Sequence, residues 1–224
     1  MAEAHIRITA GGPYIVTGGV PLSGRQPSVS THGEPLDWEP AEANPDGYAF
    51  EERYLLCRCG GSKTKPLCDA THATFEWERA LTASREPSAS RRERVEGDGI
   101  ALTDDTTLCS DYGFCGNRFT SVWDMAGEAS DPEVRAKLLR MVQSCPSGRI
   151  QLEDAEGNAI EPAFRPSIAP IPDGPLWVRG GITMEAGDGT PLESRNRMTL
   201  CRCGQSQNKP FCDGAHKSHE FHAP

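Results

Sequence analysis

Cys201-Arg-Cys203-Gly-Gln-Ser206-Gln-Asn-Lys-Pro210-Phe-Cys212-Asp213-Gly-Ala-His216 places three cysteines and one histidine within sixteen residues. Soft thiolates with one imidazole suit iron–sulfur clusters or zinc. The spacing separates the two. Zinc sites use wider pairs, C-x2–4-C, to span a tetrahedron. Cysteines one residue apart can share one iron, and the later cysteine and histidine can hold a second. The product is a [2Fe–2S] centre with three thiolates and one imidazole, between the all-cysteine ferredoxin centre and the two-histidine Rieske centre.

The same pattern occurs earlier, as Cys57-Arg-Cys59-Gly-Gly-Ser62-Lys-Thr-Lys-Pro66-Leu-Cys68-Asp69-Ala70-Thr-His72. Cys57 and Cys201, Cys59 and Cys203, Cys68 and Cys212, and His72 and His216 are each 144 positions apart. Both stretches resemble the CDGSH iron–sulfur, or mitoNEET-like, family, whose pattern is C-x-C-x2-[ST]-x3-P-x-C-D-[GSA]-x-H. The first copy carries Ala70 where glycine is usual. The resemblance implies a small β-cap fold in which two copies exchange strands over two clusters, and a link to cluster storage, transfer or redox sensing. Family members are commonly homodimers; here one chain supplies both copies, so the expectation is an internal pseudo-twofold pair, either in a monomer or in a homodimer.

The repeat reaches beyond the ligands. Gly12-Pro-Tyr-Ile-Val-Thr-Gly-Gly and Gly174-Pro-Leu-Trp-Val-Arg-Gly-Gly each read as a strand followed by a glycine break. Arg53-Tyr-Leu-Leu56 and Arg197-Met-Thr-Leu200 are the strands that lead into the ligands. The first copy holds extra residues within Ser23–Phe50, rich in Pro, Gly, Ser and Asn, which reads as an irregular loop. The second crosses by a tight turn at Ala186-Gly-Asp-Gly-Thr-Pro191. Ser62 and Ser206 are candidates to hydrogen-bond a cluster sulfur or ligand thiolate. Asp69 and Asp213 are candidates to cap the turns that carry the two histidines. Arg58, Arg202, Lys65 and Lys209 read either as exposed counter-charge or as a docking and tuning shell.

The remaining cysteines form a third set, Cys109-Ser-Asp-Tyr-Gly-Phe-Cys115 and Cys145-Pro146. Bacterial ferredoxins use C-x2-C-x2-C and a later C-P. Here the first, third and C-P positions remain and Tyr112 stands at the second. The unit resembles a divergent single-cluster ferredoxin domain. Three thiolates suit a [3Fe–4S] cluster; Asp111 or a solvent oxygen completing a [4Fe–4S] cluster is the alternative. Within this unit Ile100-Ala-Leu-Thr reads as a strand. Asp131-Pro132 opens a helix with one apolar face, Val134, Leu138, Met141 and Val142. Ile150–Ile160 reads as a hairpin around Glu156-Gly-Asn.

The fold class that follows is α+β, loop-rich, with small sheets. The domains expected are 1–80, 81–172 and 173–224. Gly 23, Pro 18 and a hydrophobic share of 37% leave little apolar core, and cluster ligation is coupled to folding. A net charge of −9 argues against nucleic acid. No apolar run approaches a membrane span and the first residues do not read as an export signal. Nine cysteines without that signal point to metal and a cytoplasmic setting, not disulfides. No nucleotide loop or catalytic triad stands out, so the expectation is not an enzyme. It is an electron-transfer protein serving a reductase and an acceptor the sequence does not identify. The alternatives are cluster storage or transfer or redox sensing, and a zinc-stabilised adaptor.

Overall fold

The computed structural model describes residues 3–48 and 52–224. Its strands, in chain order, are β1 (His5–Ile8), β2 (Tyr14–Thr17), β3 (Arg25–Val29), β4 (Pro35–Pro40), β5 (Arg53–Leu56), β6 (Glu93–Glu96), β7 (Ala101–Asp104), β8 (Ile150–Glu153), β9 (Ser167–Pro170), β10 (Leu176–Arg179), β11 (Thr183–Ala186), β12 (Pro191–Leu192) and β13 (Arg197–Leu200). Among the described residues helix is confined to α1 (Ser88–Arg91), α2 (Val122–Ala126), α3 (Pro132–Gln143), α4 (Ala215–Ser218) and two 3₁₀ turns. The class is α+β, small-sheet and loop-rich. Among the described residues no helix is long and apolar enough to cross a membrane.

The two ligand-bearing repeats build on one another. In the N-terminal repeat β1, β2 and β5 run side by side, and in the C-terminal repeat β9, β10 and β13 do the same. The N-terminal sheet also takes in β11, from the C-terminal repeat, parallel to β1 with Ile6 opposite Met184. In return Leu22 bridges Ile168 of β9, again in parallel. Alternation along these strands turns Ile6, Ile8, Tyr14 and Val16 inward onto Leu176, Val178, Met184, Met198 and Leu200. The modest stock of apolar residues is thus pooled into one core shared by both repeats. Strand β9 lies in the stretch expected to close the middle unit, so the C-terminal sheet begins before residue 173.

The insert expected as an irregular loop is a hairpin instead: β3 pairs antiparallel with β4 from Arg25 opposite Pro40 to Val29 opposite Pro35. Its Phe50 end lies outside the described residues. Pro27, Pro35 and Pro40 read as breakers, but a two-stranded ribbon has only edge strands, where proline is tolerated. The hairpin lies against the middle unit: Trp38 Nε1 donates to Ser144 O at 2.8 Å, and Glu34 accepts from Arg118.

The middle unit is β6-β7-β8 with α2 and α3. Asp131 caps α3 through the N–H groups of Glu133 and Val134, as the sequence predicts, and Leu138 and Val142 are its buried face. The arginine-rich stretch before β6 is pinned, not free. Arg91 pairs with Asp105 at 2.7 Å, and Arg92 donates to the carbonyls of Gly148 and Arg149.

Candidate metal centres

In each repeat a strand delivers the first cysteine and a turn delivers the last two ligands. Leaving β13, the chain runs Cys201-Arg-Cys203, doubles back through Pro210, and bridges Phe211 to Leu200. Cys201 N–H donates to Pro210 O and Cys212 N–H to Thr199 O, both at 2.8 Å. The N-terminal repeat has the same frame, with Cys57 N–H on Pro66 O and Cys68 N–H on Leu55 O.

The ligands come together two by two. Cys57 and Cys59 Sγ are 3.8 Å apart, and Cys201 and Cys203 Sγ 3.6 Å. Cys68 Sγ is 3.5 Å from His72 Nδ1, and Cys212 Sγ 3.3 Å from His216 Nδ1. Metal–sulfur bonds of about 2.3 Å and metal–nitrogen bonds of about 2.0 Å in a tetrahedron give sulfur–sulfur edges of about 3.8 Å and sulfur–nitrogen edges of about 3.5 Å. Each pair therefore fits one metal. Among the described residues no three His, Cys, Asp or Glu side chains converge on one point that a single ion could occupy. Two such pairs in each repeat have the spacing that suits a two-metal group ligated by two pairs.

Local electrostatics prepares the first pair in each repeat for a cation. The thiol of Cys59 hydrogen-bonds Cys57, and N–H groups of Ser62 and Gly60 face the same sulfur; together they push the Cys57 thiol down to about 6. Cys201 is pushed down to about 6 by Cys203 in the same way, with Ser206 and Gly204 assisting. The second proton of each pair is held by the hydrogen bond it makes to the first sulfur, by burial, and because its loss would set two thiolates side by side. A bound cation removes that penalty. Gly61, Gln205, Ala70 and Gly214 direct N–H groups at Cys59, Cys203, Cys68 and Cys212, at 3.4–3.5 Å.

The two serines act differently from the sequence expectation. The Ser62 hydroxyl donates to Leu67 O at 2.6 Å and the Ser206 hydroxyl to Phe211 O at 2.7 Å. A hydroxyl has one proton to give, so these hold the loop closed, and it is the serine backbone N–H that serves the cysteine. Asp69 accepts from Lys63 and Thr71 N–H, and Asp213 from Gln207 and Ala215 N–H. Each carboxylate ties the histidine turn to the loop after the Cys-x-Cys pair. These bonds hold the Asp69 carboxyl well below the usual carboxylate range. Ala70 takes the left-handed conformation, φ 68°, that Gly214 takes at 88°.

Of the flanking cations Arg58, Arg202 and Lys209 are buried and Lys65 is half-buried. Arg58 and Arg202 are 2% and 1% exposed. Arg58 donates to Gly12 O and Thr9 O, and Arg202 to Gly174 O and Ile171 O, so each guanidinium clamps its repeat's first strand pair to the ligand loop. Lys65 and Lys209 close on Ser62 O and Ser206 O.

The two loops also touch. A Cβ on Gly204 would lie 2.7 Å from Cys59 O, and one on Gly60 would collide with Cys203 O. The sites differ in cover: Cys212 and His216 are buried, whereas Cys68 and His72 are half-buried.

In the middle unit Cys109, Cys115 and Cys145 line one hollow of about 280 Å³, mouth included, with Tyr112, Phe114, Arg149 and Ile150. Cys109 follows the turn capped by Asp105, and Cys145 follows the end of α3. Sequence reasoning missed two arginines here. Arg149 grips Asp104 through two bonds of 2.5 and 2.7 Å and reaches the Cys109 thiol. Arg197, fully buried, pairs with Glu161 and donates to the carbonyls of Val142, Gln143, Cys145 and Ile150. Their partners lie tens of residues away, where no spacing rule reaches. Asp111, by contrast, is exposed, with its carboxylate on Lys217 Nζ at 2.9 Å.

Comparison with protein-family models agrees with this layout. The model described as iron-binding zinc finger CDGSH type matches residues 11–73 and 173–217, and the model described as divergent 4Fe-4S mono-cluster matches residues 95–155. All eleven ligand candidates fall inside those segments. Neither the curated proteins nor the solved structures returned a match. Paired thiolates and imidazoles in two repeats, with a three-cysteine hollow between them in sequence, identify the chain as an iron–sulfur protein of the CDGSH family, two copies flanking a divergent 4Fe–4S mono-cluster unit.

Proposed function

We propose that the chain is an electron carrier, not an enzyme. It holds two [2Fe–2S] centres through Cys57, Cys59, Cys68, His72 and Cys201, Cys203, Cys212, His216, and a third centre through Cys109, Cys115 and Cys145. The observation that carries this reading is the two-by-two pairing of ligands at tetrahedral edge lengths. The clusters supply one-electron redox chemistry; the protein sets their potential. Eight backbone N–H groups at the cysteines and the clamped arginines favour the more negative reduced state.

The two repeats form a pseudo-twofold pair in this reading. Ile6 and Ile168 are 162 positions apart, as are Leu22 and Met184, so the two parallel contacts are equivalent. The arginine clamps recur too: Arg58 and Arg202, like the facing Gly60 and Gly204, are 144 positions apart, and the Gly12 and Gly174 acceptors are 162 apart. One chain thereby supplies what a dimer would, and docking falls to a separate reductase and acceptor.

The middle centre is [3Fe–4S] by its thiolate count. The matched description favours [4Fe–4S] instead. Asp111 is engaged by Lys217, so a solvent oxygen would complete that cluster. EPR of the oxidised protein decides: a [3Fe–4S] centre gives a signal and a [4Fe–4S] centre is silent.

Anaerobic voltammetry with an apo-ferredoxin challenge tests the function. Reversible one-electron waves between roughly −400 and +300 mV, with all iron retained in the presence of apo-ferredoxin, are expected. A second reading, cluster storage or delivery, is favoured by the half-buried Cys68 and His72. It predicts that iron passes to apo-ferredoxin from the N-terminal site alone.

The same asymmetry predicts acid behaviour. Protons reach the imidazole of His72 before that of His216, which is 3% exposed. Visible absorbance after a jump to mildly acidic pH should decay in two phases. His72→Cys should slow the faster phase by about tenfold or more and leave the slower one unchanged. Equal loss from wild type and variant contradicts the histidine assignment.

A further inference from the structure

The ring that replaces a cysteine in the middle unit leans on the neighbouring site. Tyr112 occupies the second-cysteine position of the middle motif, on the loop between Cys109 and Cys115 that lines the hollow. Its ring stacks on His216, a ligand of the C-terminal site, with centroids 6.1 Å apart and planes at 24°. That is within the range of favourable aromatic pairing. Other contacts fix the loop against this site: Lys217 Nζ donates to the carbonyl and carboxylate of Asp111, and Asn208 donates to Thr107 O at 2.7 Å. Trp38 of the hairpin also packs on Tyr112, with centroids 5.6 Å apart and planes tilted by 52°. Among the described residues no ring stacks on His72. The contact therefore belongs to the middle unit's meeting with one repeat, and is not a property of the repeat itself.

The geometry points to Tyr112 as the bridge that couples the middle centre to the C-terminal CDGSH centre for electron transfer. This inference rests on the electron-carrier reading above. In the step one electron leaves the reduced middle centre and enters the oxidised C-terminal centre. No bond forms or breaks and no proton moves. The electron originates from an external one-electron reductant, a photoreduced flavin in the experiment below. Tyr112 serves as packed matter between the two ligand sets and is not itself oxidised, so its hydroxyl is dispensable and its ring is not.

The surroundings provide an independent handle. A Cβ on Gly174 would collide with the Tyr112 hydroxyl and come within 3.3 Å of its Cζ. Gly174→Ala therefore displaces the ring from His216 without altering it, and removal of the hydroxyl relieves most of the collision.

The test is flash photoreduction of the full, iron-loaded chain, following the phase whose rate is independent of protein concentration. EPR-monitored titration reports the potentials of all centres. Tyr112→Leu is expected to slow that phase by about tenfold or more, and Tyr112→Phe to stay within about twofold of wild type. Gly174→Ala should slow it as Tyr112→Leu does, and Tyr112→Phe combined with Gly174→Ala should restore it, all with unchanged potentials. A wild-type rate in Tyr112→Leu overturns the bridge, as does a slowing matched by shifted potentials. If Tyr112→Leu fails to hold iron, Gly174→Ala with and without Tyr112→Phe decides: no slowing, or no rescue, overturns the bridge. Absence of the concentration-independent phase in wild type is a different failure, because it removes the carrier reading itself.

Discussion

Arg197→Leu is expected to destabilise the protein by about 3–5 kcal/mol and to empty the middle site first. The guanidinium is the point where β13, the end of α3 and the start of β8 meet. It neutralises Glu161 and satisfies carbonyls that α3 leaves open at its C-terminus. Leucine fills part of the space but leaves the half-buried Glu161 carboxylate with Asn196 Nδ2 and without its charge partner, and takes the guanidinium donors from the carbonyls. Cys145 loses the shorter of the two hydrogen bonds to its carbonyl, the longer being from Gly148 N–H, so the three-cysteine hollow loosens. Arg197→Lys should recover only part of the loss, since an ammonium lacks the planar fork that reaches Glu161 and the carbonyls at once. Thermal melting and iron per chain, read on both variants, check this; near wild-type iron in Arg197→Leu would contradict it.

The second large effect lies where the repeats touch. Gly60→Ala and Gly204→Ala should each lower iron occupancy at both histidine-containing sites. Both glycines adopt a left-handed backbone, φ 81° and 80°, which costs about 1–2 kcal/mol for a residue with a Cβ. The added methyl also meets the carbonyl of the other repeat's cysteine, so relief at one site means movement of a ligand at the other. Gly19→Ala is the control: φ is 62° but nothing lies within 4 Å of the new Cβ. It should cost only the backbone term and leave iron intact. Iron content and melting temperature of the three variants decide it. Loss of iron at one site alone in Gly60→Ala would contradict the face-to-face packing.

Much of this was legible in the sequence because it is local. The Cys-x-Cys pair, the proline, the Asp and the histidine act within sixteen residues, and the strands before them show their apolar alternation. The Asp131 cap and the α3 face are equally local. What the sequence hid depends on distant partners. Arg58 and Arg202 look like surface charge until Gly12 and Gly174 are brought against them. Ser62 and Ser206 sit beside thiols in sequence, yet their protons go to carbonyls across the loop. The β3–β4 hairpin was hidden by its prolines, and Tyr112 looked only like a missing cysteine, because its stacking partner is over a hundred residues away.

The central claim is that paired ligands hold sulfide-bridged iron at two facing sites, with a third cluster beside them. Anaerobic protein should be assayed for iron, acid-labile sulfide and zinc per chain, with Mössbauer spectra of the same sample. About seven irons with about eight sulfides, or about eight of each if the middle cluster has four irons, with histidine-ligated iron distinct from cysteine-ligated iron, are predicted. A colourless chain with one zinc per four-ligand set and no sulfide would contradict it.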